Sequence, residues 1–277
     1  MSLVSSDWLE KNLNDVKIID CSWHMPGVNR NPYEEYLNQH IPGAIFFDLE
    51  KNSEQNTELP HMLPTKEKWE EIISSLGISN EDRIIIYDNS DVISSCRGWY
   101  NFIYFGHDKK LVSILDGGLK KWKIENKITT NENTNIFKSK YIATENKHLV
   151  KNIKEINDNL KTNNFKVIDA RSRERFDGTA PDPRKNVRSG SIPNSLCLPF
   201  KELINTNDNT FKNKTEISKK FEEIININEN NRVFSCGSGI TACVLSLAYS
   251  LVNNTYSPTV YDAVSYTHLR AHETSSY

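Results

Sequence analysis

The chain has 277 residues, of which 37% are hydrophobic and 25% are charged, so it is long enough for one large or two ordinary globular domains. Its 34 Lys and Arg residues nearly balance its 36 Asp and Glu residues, and the net charge of −2 argues against nucleic acid or a membrane surface as a partner. No apolar run in the sequence is long enough to cross a bilayer.

The five cysteines are an odd number with no paired spacing. Residues 1–8 lack the basic and apolar regions of a signal peptide and the Arg-rich character of a mitochondrial transit peptide. We therefore expect reduced thiols and a cytoplasmic location, with a mitochondrial one as the alternative. No Cys and His cluster has zinc spacing, so neither a metal nor a cofactor is expected.

Taken in chain order, the predicted elements occur twice, which indicates two homologous domains. Each copy alternates β-branched runs, such as 84–86, with amphipathic stretches, such as 69–76. This pattern predicts an α/β fold of two tandem domains, each a central parallel sheet with helices on both faces. We place the first domain at 1–124, a polar linker at 125–146 and the second domain at 147–277. The matched segments are 16–21 and 165–170, 40–44 and 191–195, 83–88 and 231–236, and 112–117 and 258–263.

The segment from residue 232 predicts a strand, a tight glycine loop and a helix. Residues 232–235 are β-prone, and the apolar residues of 242–251 recur at helical spacing. Cys236 would end the strand and face the N–H groups and positive dipole end of the helix, which favours the nucleophilic thiolate. Gly237 and Gly239 would let loop N–H groups point toward an anion. The alternative, a buried cysteine without chemistry, does not explain the glycines.

The loop also separates two kinds of cysteine chemistry. A cysteine phosphatase needs an arginine to close the loop around a phosphate, but Ala242 and Cys243 follow Thr241. A small group such as a sulfane sulfur suits the loop better. In the first copy Asp88 takes the position of Cys236, and a carboxylate cannot take up sulfur. We therefore expect a catalytically silent first domain that walls one side of the cleft.

Residues 236–242, Cys-Gly-Ser-Gly-Ile-Thr-Ala, resemble the active-site loop of the 3-mercaptopyruvate sulfurtransferases within the two-domain rhodanese-like family. Thiosulfate-using relatives resemble the chain too, but they carry basic residues where this loop has Gly237 and Ser238. The resemblance implies an enzyme that moves the sulfur of 3-mercaptopyruvate through a Cys236 persulfide to an acceptor, releasing pyruvate. The acceptor would be a thioredoxin-type protein, a small thiol or cyanide. Two alternatives stay open, a thiosulfate sulfurtransferase and a non-catalytic module that binds partners or senses oxidants.

The resemblance also implies roles for individual residues. Ser238, His61 and Glu50 would form a proton relay, with Asp48 as the substitute for Glu50. An arginine fork suits a planar carboxylate, and the resemblance assigns Arg175 and Arg184 to the carboxylate and keto oxygen of the substrate. Arg171, Arg173 and Arg188 are expected to be ion-pair or structural residues. The other expected substrate-binding residues are Gly237, Gly239, Ile240 and Thr241.

The resemblance ends at residue 262. The family continues with Gly-Ser-Trp, and the first copy keeps a related Asp116-Gly117-Gly118, whereas 263–277 has neither. We therefore expect an atypical tail that lacks the tryptophan covering the cleft.

Overall fold

The computed structural model describes residues 2–181 and 189–262, which divide into two compact units. Each unit contains one five-stranded parallel sheet, and the strands of the two sheets follow the same spatial order. Taking the described residues alone, the first unit comprises the chain up to Thr57, Leu63–Asn146 and Thr206–Phe211, and the second comprises Glu58–Met62, Lys147–Asn205 and the chain from Lys212.

The central strands of the first unit are buried at every position because helices cover both faces of its sheet. Along the strand Ile84–Tyr87, Ile85 packs in one core cluster with Trp122. Ile86 points to the opposite face, where a Cβ added at Gly98 would lie 3.2 Å from the Ile86 Cγ2 atom. In the described residues this unit contains β1 (Leu3–Val4), α1 (Ser6–Lys11), β2 (Lys17–Asp20), α2 (Pro32–Asn38), β3 (Ala44–Phe46), α3 (Lys66–Ser75), β4 (Ile84–Tyr87), α4 (Ser95–Tyr104), β5 (Val112–Leu115) and α5 (Gly118–Ile124).

The sheet of the second unit is covered in the same way. Val233 packs in a core cluster with Ile156 on one face. On the other face the ring of Phe234 lies 6.0 Å from that of Phe221 and 5.9 Å from that of Tyr249. The described elements are β6 (Val150–Lys151), α6 (Ile153–Thr162), β7 (Lys166–Asp169), α7 (Arg173–Phe176), β8 (Leu196–Cys197), α8 (Lys214–Glu222), β9 (Arg232–Ser235), α9 (Ile240–Val252) and β10 (Val260–Tyr261).

The strand registers align the two repeats residue by residue. Asp20 of β2 lies opposite Tyr87 of β4, and Asp169 of β7 lies opposite Ser235 of β9. The next residues along β4 and β9 are Asp88 and Cys236, so these two occupy equivalent places at the carboxyl ends of the strands. The repeat predicted from the sequence is therefore confirmed.

The polar segment 125–146 contains neither a helix nor a strand and lies along the first unit. The backbone of Thr130 exchanges two hydrogen bonds with His40, at 2.8 and 2.9 Å. Further on, the Ser139 N–H donates to the carbonyl of Ser74 at 3.0 Å. Backbone contacts thus hold this segment to the first unit in the absence of regular secondary structure.

Asp20 is a buried carboxylic acid at the end of β2. Both the N–H and the hydroxyl of Ser22 donate to its Oδ1 atom, the former at 2.9 Å. Burial nevertheless raises the pKa of Asp20 from the usual 3.8 to about 6. The folded chain therefore holds this proton more tightly than the unfolded chain does.

We expect the substitution Asp20→Asn to remove one source of pH dependence. The stability that protonated Asp20 contributes is fully present below about pH 4 and is lost as the pH rises through about 6. The shift from 3.8 to about 6 corresponds to roughly 3 kcal/mol. Urea denaturation between pH 4 and 7 should show the free energy of unfolding of the wild type falling by that amount relative to the variant. Parallel profiles would contradict this account.

Candidate active site

The loop that carries Cys236 joins β9 directly to α9. Cys236 follows the last residue of β9 and is only 3% exposed. Gly239 precedes the first residue of the 13-residue helix α9 with a φ of 79° and a ψ of −8°. This left-handed conformation is strained for other residues, so glycine is needed here. The predicted sequence of strand, tight loop and helix is confirmed.

The helix α9 is a rigid support for this loop. Its residues from Ala242 to Tyr249 are all buried, and its first turn holds no acidic side chain. The thiol of Cys243 donates to the carbonyl of Gly239 at 3.0 Å, which ties the loop to the second turn of the helix. Negative charge on Cys236 would be stabilised at the positive end of this helix.

The first repeat has a carboxylate where the second has the thiol. Asp88 is buried, and its two oxygens accept hydrogen bonds from the N–H groups of Ser90 at 2.8 Å and Ser95 at 2.9 Å. Burial raises the pKa of Asp88. Ser95 is the first residue of α4, so here the loop and the helix N-terminus already hold an acidic group of the chain itself.

The arginines that follow β7 differ in their surroundings. Arg171 is buried, and its guanidinium pairs with Asp169 at 2.6 Å. Arg173 is exposed and pairs with Glu202 at 2.7 Å, so both are ion-pair residues as predicted. Arg175 is half-buried in the short helix α7. The predicted substrate-binding residue Arg184 lies outside the described residues, as do Arg188 and the tail from residue 263.

The predicted relay residues are distributed over the two units. His61 is 6% exposed, has a left-handed φ of 59° and groups with the second unit. Such a conformation is uncommon for a residue other than glycine and is often found at functional sites. Ser238, in the same unit, is partly exposed. Glu50 lies in the first unit, so the relay that would join these residues stays a prediction.

The two acids considered for the relay, Asp48 and Glu50, have different hydrogen-bond partners. Asp48 Oδ1 accepts the N–H groups of Glu50 at 3.1 Å and Lys51 at 3.0 Å, so Asp48 caps a turn. The carboxylate of Glu50 instead accepts the indole N–H of Trp23 at 2.8 Å. Glu50 therefore lies in the turn that Asp48 caps, and its carboxylate is oriented by the indole of Trp23.

The first unit contains a cavity of about 470 Å³ that was not predicted from the sequence. Its lining includes Trp23, His24, Arg30 and Glu50. Arg30 is fixed by two hydrogen bonds to Glu35, at 2.6 and 2.7 Å. The segment 22–33 follows β2 after Cys21, as the arginine-rich segment follows β7 in the second unit. This correspondence is the signal that points to the cavity.

Within 2–181 and 189–262, no three His, Cys, Asp or Glu side chains are grouped so that they could hold a metal ion. Over the same residues, none of the helices combines the length and the apolar character needed to cross a lipid bilayer.

Known proteins match the chain along most of its length. The rhodanese-like domain family matches residues 5–125 and 152–263. Thiosulfate/3-mercaptopyruvate sulfurtransferase 1, mitochondrial, of Arabidopsis thaliana is 38% identical over 94% of this chain and 74% of its own length. The 3-mercaptopyruvate sulfurtransferase of Escherichia coli K12 is 34% identical over 90% of this chain and 89% of its own length. The crystal structure of SseA from Escherichia coli superposes with a TM-score of 0.85 at 31% identity, covering 95% and 98% of the two chains.

The repeated sheet and the cysteine loop define a protein of two homologous α/β domains, the second of which has a cysteine in the loop after β9. The chain belongs to the rhodanese-like family. The predicted family resemblance and the predicted fold class, two tandem rhodanese-like domains each built on a parallel sheet, are both confirmed.

Proposed function

We propose that the chain is a sulfurtransferase that moves the sulfur of 3-mercaptopyruvate through a persulfide on Cys236 to an acceptor. The observation that carries this proposal is the position of Cys236 between β9 and the N-terminus of α9, in the short loop that the left-handed Gly239 ends. Relatives with the printed name 3-mercaptopyruvate sulfurtransferase, at 33–35% identity over most of this chain, support the same function.

The reaction has two halves in a ping-pong sequence. The Cys236 thiolate attacks the sulfur of 3-mercaptopyruvate, an S–S bond forms, and the C–S bond breaks with its electron pair passing to the carbon. The resulting enolate takes a proton and leaves as pyruvate, while the loop N–H groups stabilise the charge on sulfur. In the second half, an acceptor thiolate or cyanide attacks the outer sulfur and regenerates Cys236.

The composition of the loop favours an oxo acid over thiosulfate as the donor. Thiosulfate is a dianion that would gain from basic side chains inside the loop, and Gly237 and Ser238 provide none. Thiosulfate is the second candidate donor, since the Arabidopsis relative carries both substrates in its name and the thiosulfate sulfurtransferase of Bos taurus is 33% identical. A sulfur donor and a thiol acceptor are general to both activities; a thioredoxin-type protein or a small thiol is the acceptor we propose.

The test is direct kinetics with both donors, together with mass spectrometry of the protein. We expect pyruvate release from 3-mercaptopyruvate, a higher kcat/KM for it than for thiosulfate, and a mass increase of one sulfur atom on Cys236 before acceptor is added. A protein that releases no pyruvate and gains no sulfur would be a non-catalytic rhodanese-like module instead.

For the proposed proton relay of Ser238, His61 and Glu50, we expect Glu50→Gln to lower kcat for pyruvate release by about a hundredfold, the lower end of what a positioned proton-transfer group contributes. Asp48→Asn is the matched control, because asparagine caps a turn as well as aspartate does. It is expected to keep kcat within about twofold. If Asp48→Asn were the slower enzyme, the assignment of Glu50 would be wrong.

A further inference from the structure

Each repeat has a buried aspartate at the end of a central strand, and the two repeats pair this aspartate with different side chains. In the first, the buried Asp20 is satisfied by the N–H and hydroxyl of Ser22. In the second, the equivalent Asp169 is bonded by the buried Arg171. The first repeat shows that a serine two residues after this aspartate is compatible with the fold, so the fold alone does not account for Arg171.

The guanidinium of Arg171 reaches a group that a serine could not. Its Nε lies 3.0 Å from both oxygens of Asp169, and its Nη2 lies 2.6 Å from Oδ2. The same Nη2 donates to the carbonyl of Gly190 at 2.7 Å. Burying an arginine is costly unless its N–H groups are paired. The bond to Gly190 therefore helps to stabilise the buried guanidinium, and it links Arg171 to a segment for which Ser22 has no counterpart in the first repeat.

Gly190 is in turn tied to the segment that contains Arg175. Its N–H donates to the carbonyl of Arg175 at 3.4 Å, and the hydroxyl of the preceding Ser189 donates to the carbonyl of Ala180 at 2.9 Å. Gly190 has a φ of 120°, a conformation that other residues avoid. The contacts therefore run from Asp169 through Arg171 and Gly190 to the backbone of Arg175.

We propose that Arg171 is a positioning residue, which fixes Gly190 and through it the backbone of Arg175, so that Arg175 meets the carboxylate of the sulfur donor. This inference rests on the proposed function and adds to it a residue that does not itself touch the substrate. It explains why the silent first repeat has Ser22 at the position of Arg171.

The test compares Arg171→Ser, which copies the first repeat, with Arg171→Lys and with the control Arg173→Ser. Lysine keeps the positive charge beside Asp169 but lacks the planar fork that bonds two partners at once. Arg173 is exposed, lies two residues away and bonds Glu202 rather than Gly190. The readouts are KM and kcat with 3-mercaptopyruvate, the rate of Cys236 alkylation by the uncharged reagent iodoacetamide, the melting temperature, and hydrogen exchange of peptides covering 172–181 and 189–195.

We expect Arg171→Ser to raise KM about tenfold, the loss of one charged hydrogen bond, and to speed exchange in both peptides. Cys236 alkylation should stay within about twofold of the wild type, because the loop after β9 is not part of this chain of contacts. Arg171→Lys should change in the same direction by less, and Arg173→Ser should match the wild type.

An unchanged KM and unchanged exchange in folded Arg171→Ser would overturn the proposal, as would a loss of alkylation equal to the loss of activity. If Arg171→Ser does not fold, Arg171→Lys decides by the same criteria; if neither folds, Arg171 is a folding residue and the proposal is wrong. A wild type without activity would remove the proposed function, while the exchange data would still report whether Arg171 holds the two segments together.

Discussion

Replacing Cys236 by serine is expected to abolish pyruvate release, with a fall in kcat of about four orders of magnitude or more. A serine hydroxyl is not ionised at neutral pH, and its oxygen cannot carry the transferred sulfur as a persulfide. Because the substitution exchanges one sulfur atom for one smaller oxygen atom, the fold should survive. The measurement is a pyruvate assay combined with mass spectrometry of the intact protein, in which no added sulfur should be found.

Cys197→Ser is the matched control for this experiment. Cys197 is a partly exposed thiol in the same unit, and burial raises its pKa to about 11, so it stays protonated at neutral pH. A protonated thiol is a poor nucleophile, and this variant should keep the activity of the wild type. Residual turnover by Cys236→Ser, or lost turnover by Cys197→Ser, would show that sulfur passes through another cysteine.

The parts of the site that the sequence predicts are those fixed by local chemistry. A glycine at position 239 favours a left-handed backbone conformation. The apolar, β-prone run at 232–235 indicates a buried strand of a parallel sheet. The internal repeat then aligns Asp88 with Cys236, because strand registers are constrained by which side chains are buried. These features depend on short stretches of sequence, and all of them are observed.

Contacts between distant residues could not be predicted in this way. Arg171 and Gly190 are 19 positions apart, and the sequence does not indicate which carbonyl a guanidinium will reach. The sequence could not show which of Asp48 and Glu50 has a local structural role, because the two acids lie only two positions apart. The structure shows that Asp48 caps a turn. The predicted domain boundary at 146/147 assigned Thr206–Phe211 to the second domain, but this segment groups with the first unit. There the N–H of Phe211 donates to Asp116 at 2.8 Å, a long-range contact that the sequence does not indicate.

Replacing Arg175 by alanine is expected to raise KM for 3-mercaptopyruvate by about a hundredfold. A guanidinium that bonds a carboxylate bidentately forms two charge-assisted hydrogen bonds, and their loss is worth roughly 2–3 kcal/mol. Pyruvate keeps the carboxylate and keto groups of the substrate, so its inhibition constant as a product should rise by a similar factor. Alkylation of Cys236 by iodoacetamide should not change, because this reagent has no carboxylate to bind.

The pairing of these readouts separates substrate binding from a general effect on structure. A distorted second unit would slow alkylation as well and would lower the melting temperature, whereas loss of a carboxylate ligand affects only molecules that carry the carboxylate. Arg175→Lys should recover part of the affinity, since it retains the charge but not the two parallel hydrogen bonds. Should pyruvate inhibit Arg175→Ala as strongly as the wild type, Arg175 does not hold the oxo acid. The donor would then have to be anchored by other groups, and the explanation given for Arg171 would fail with it.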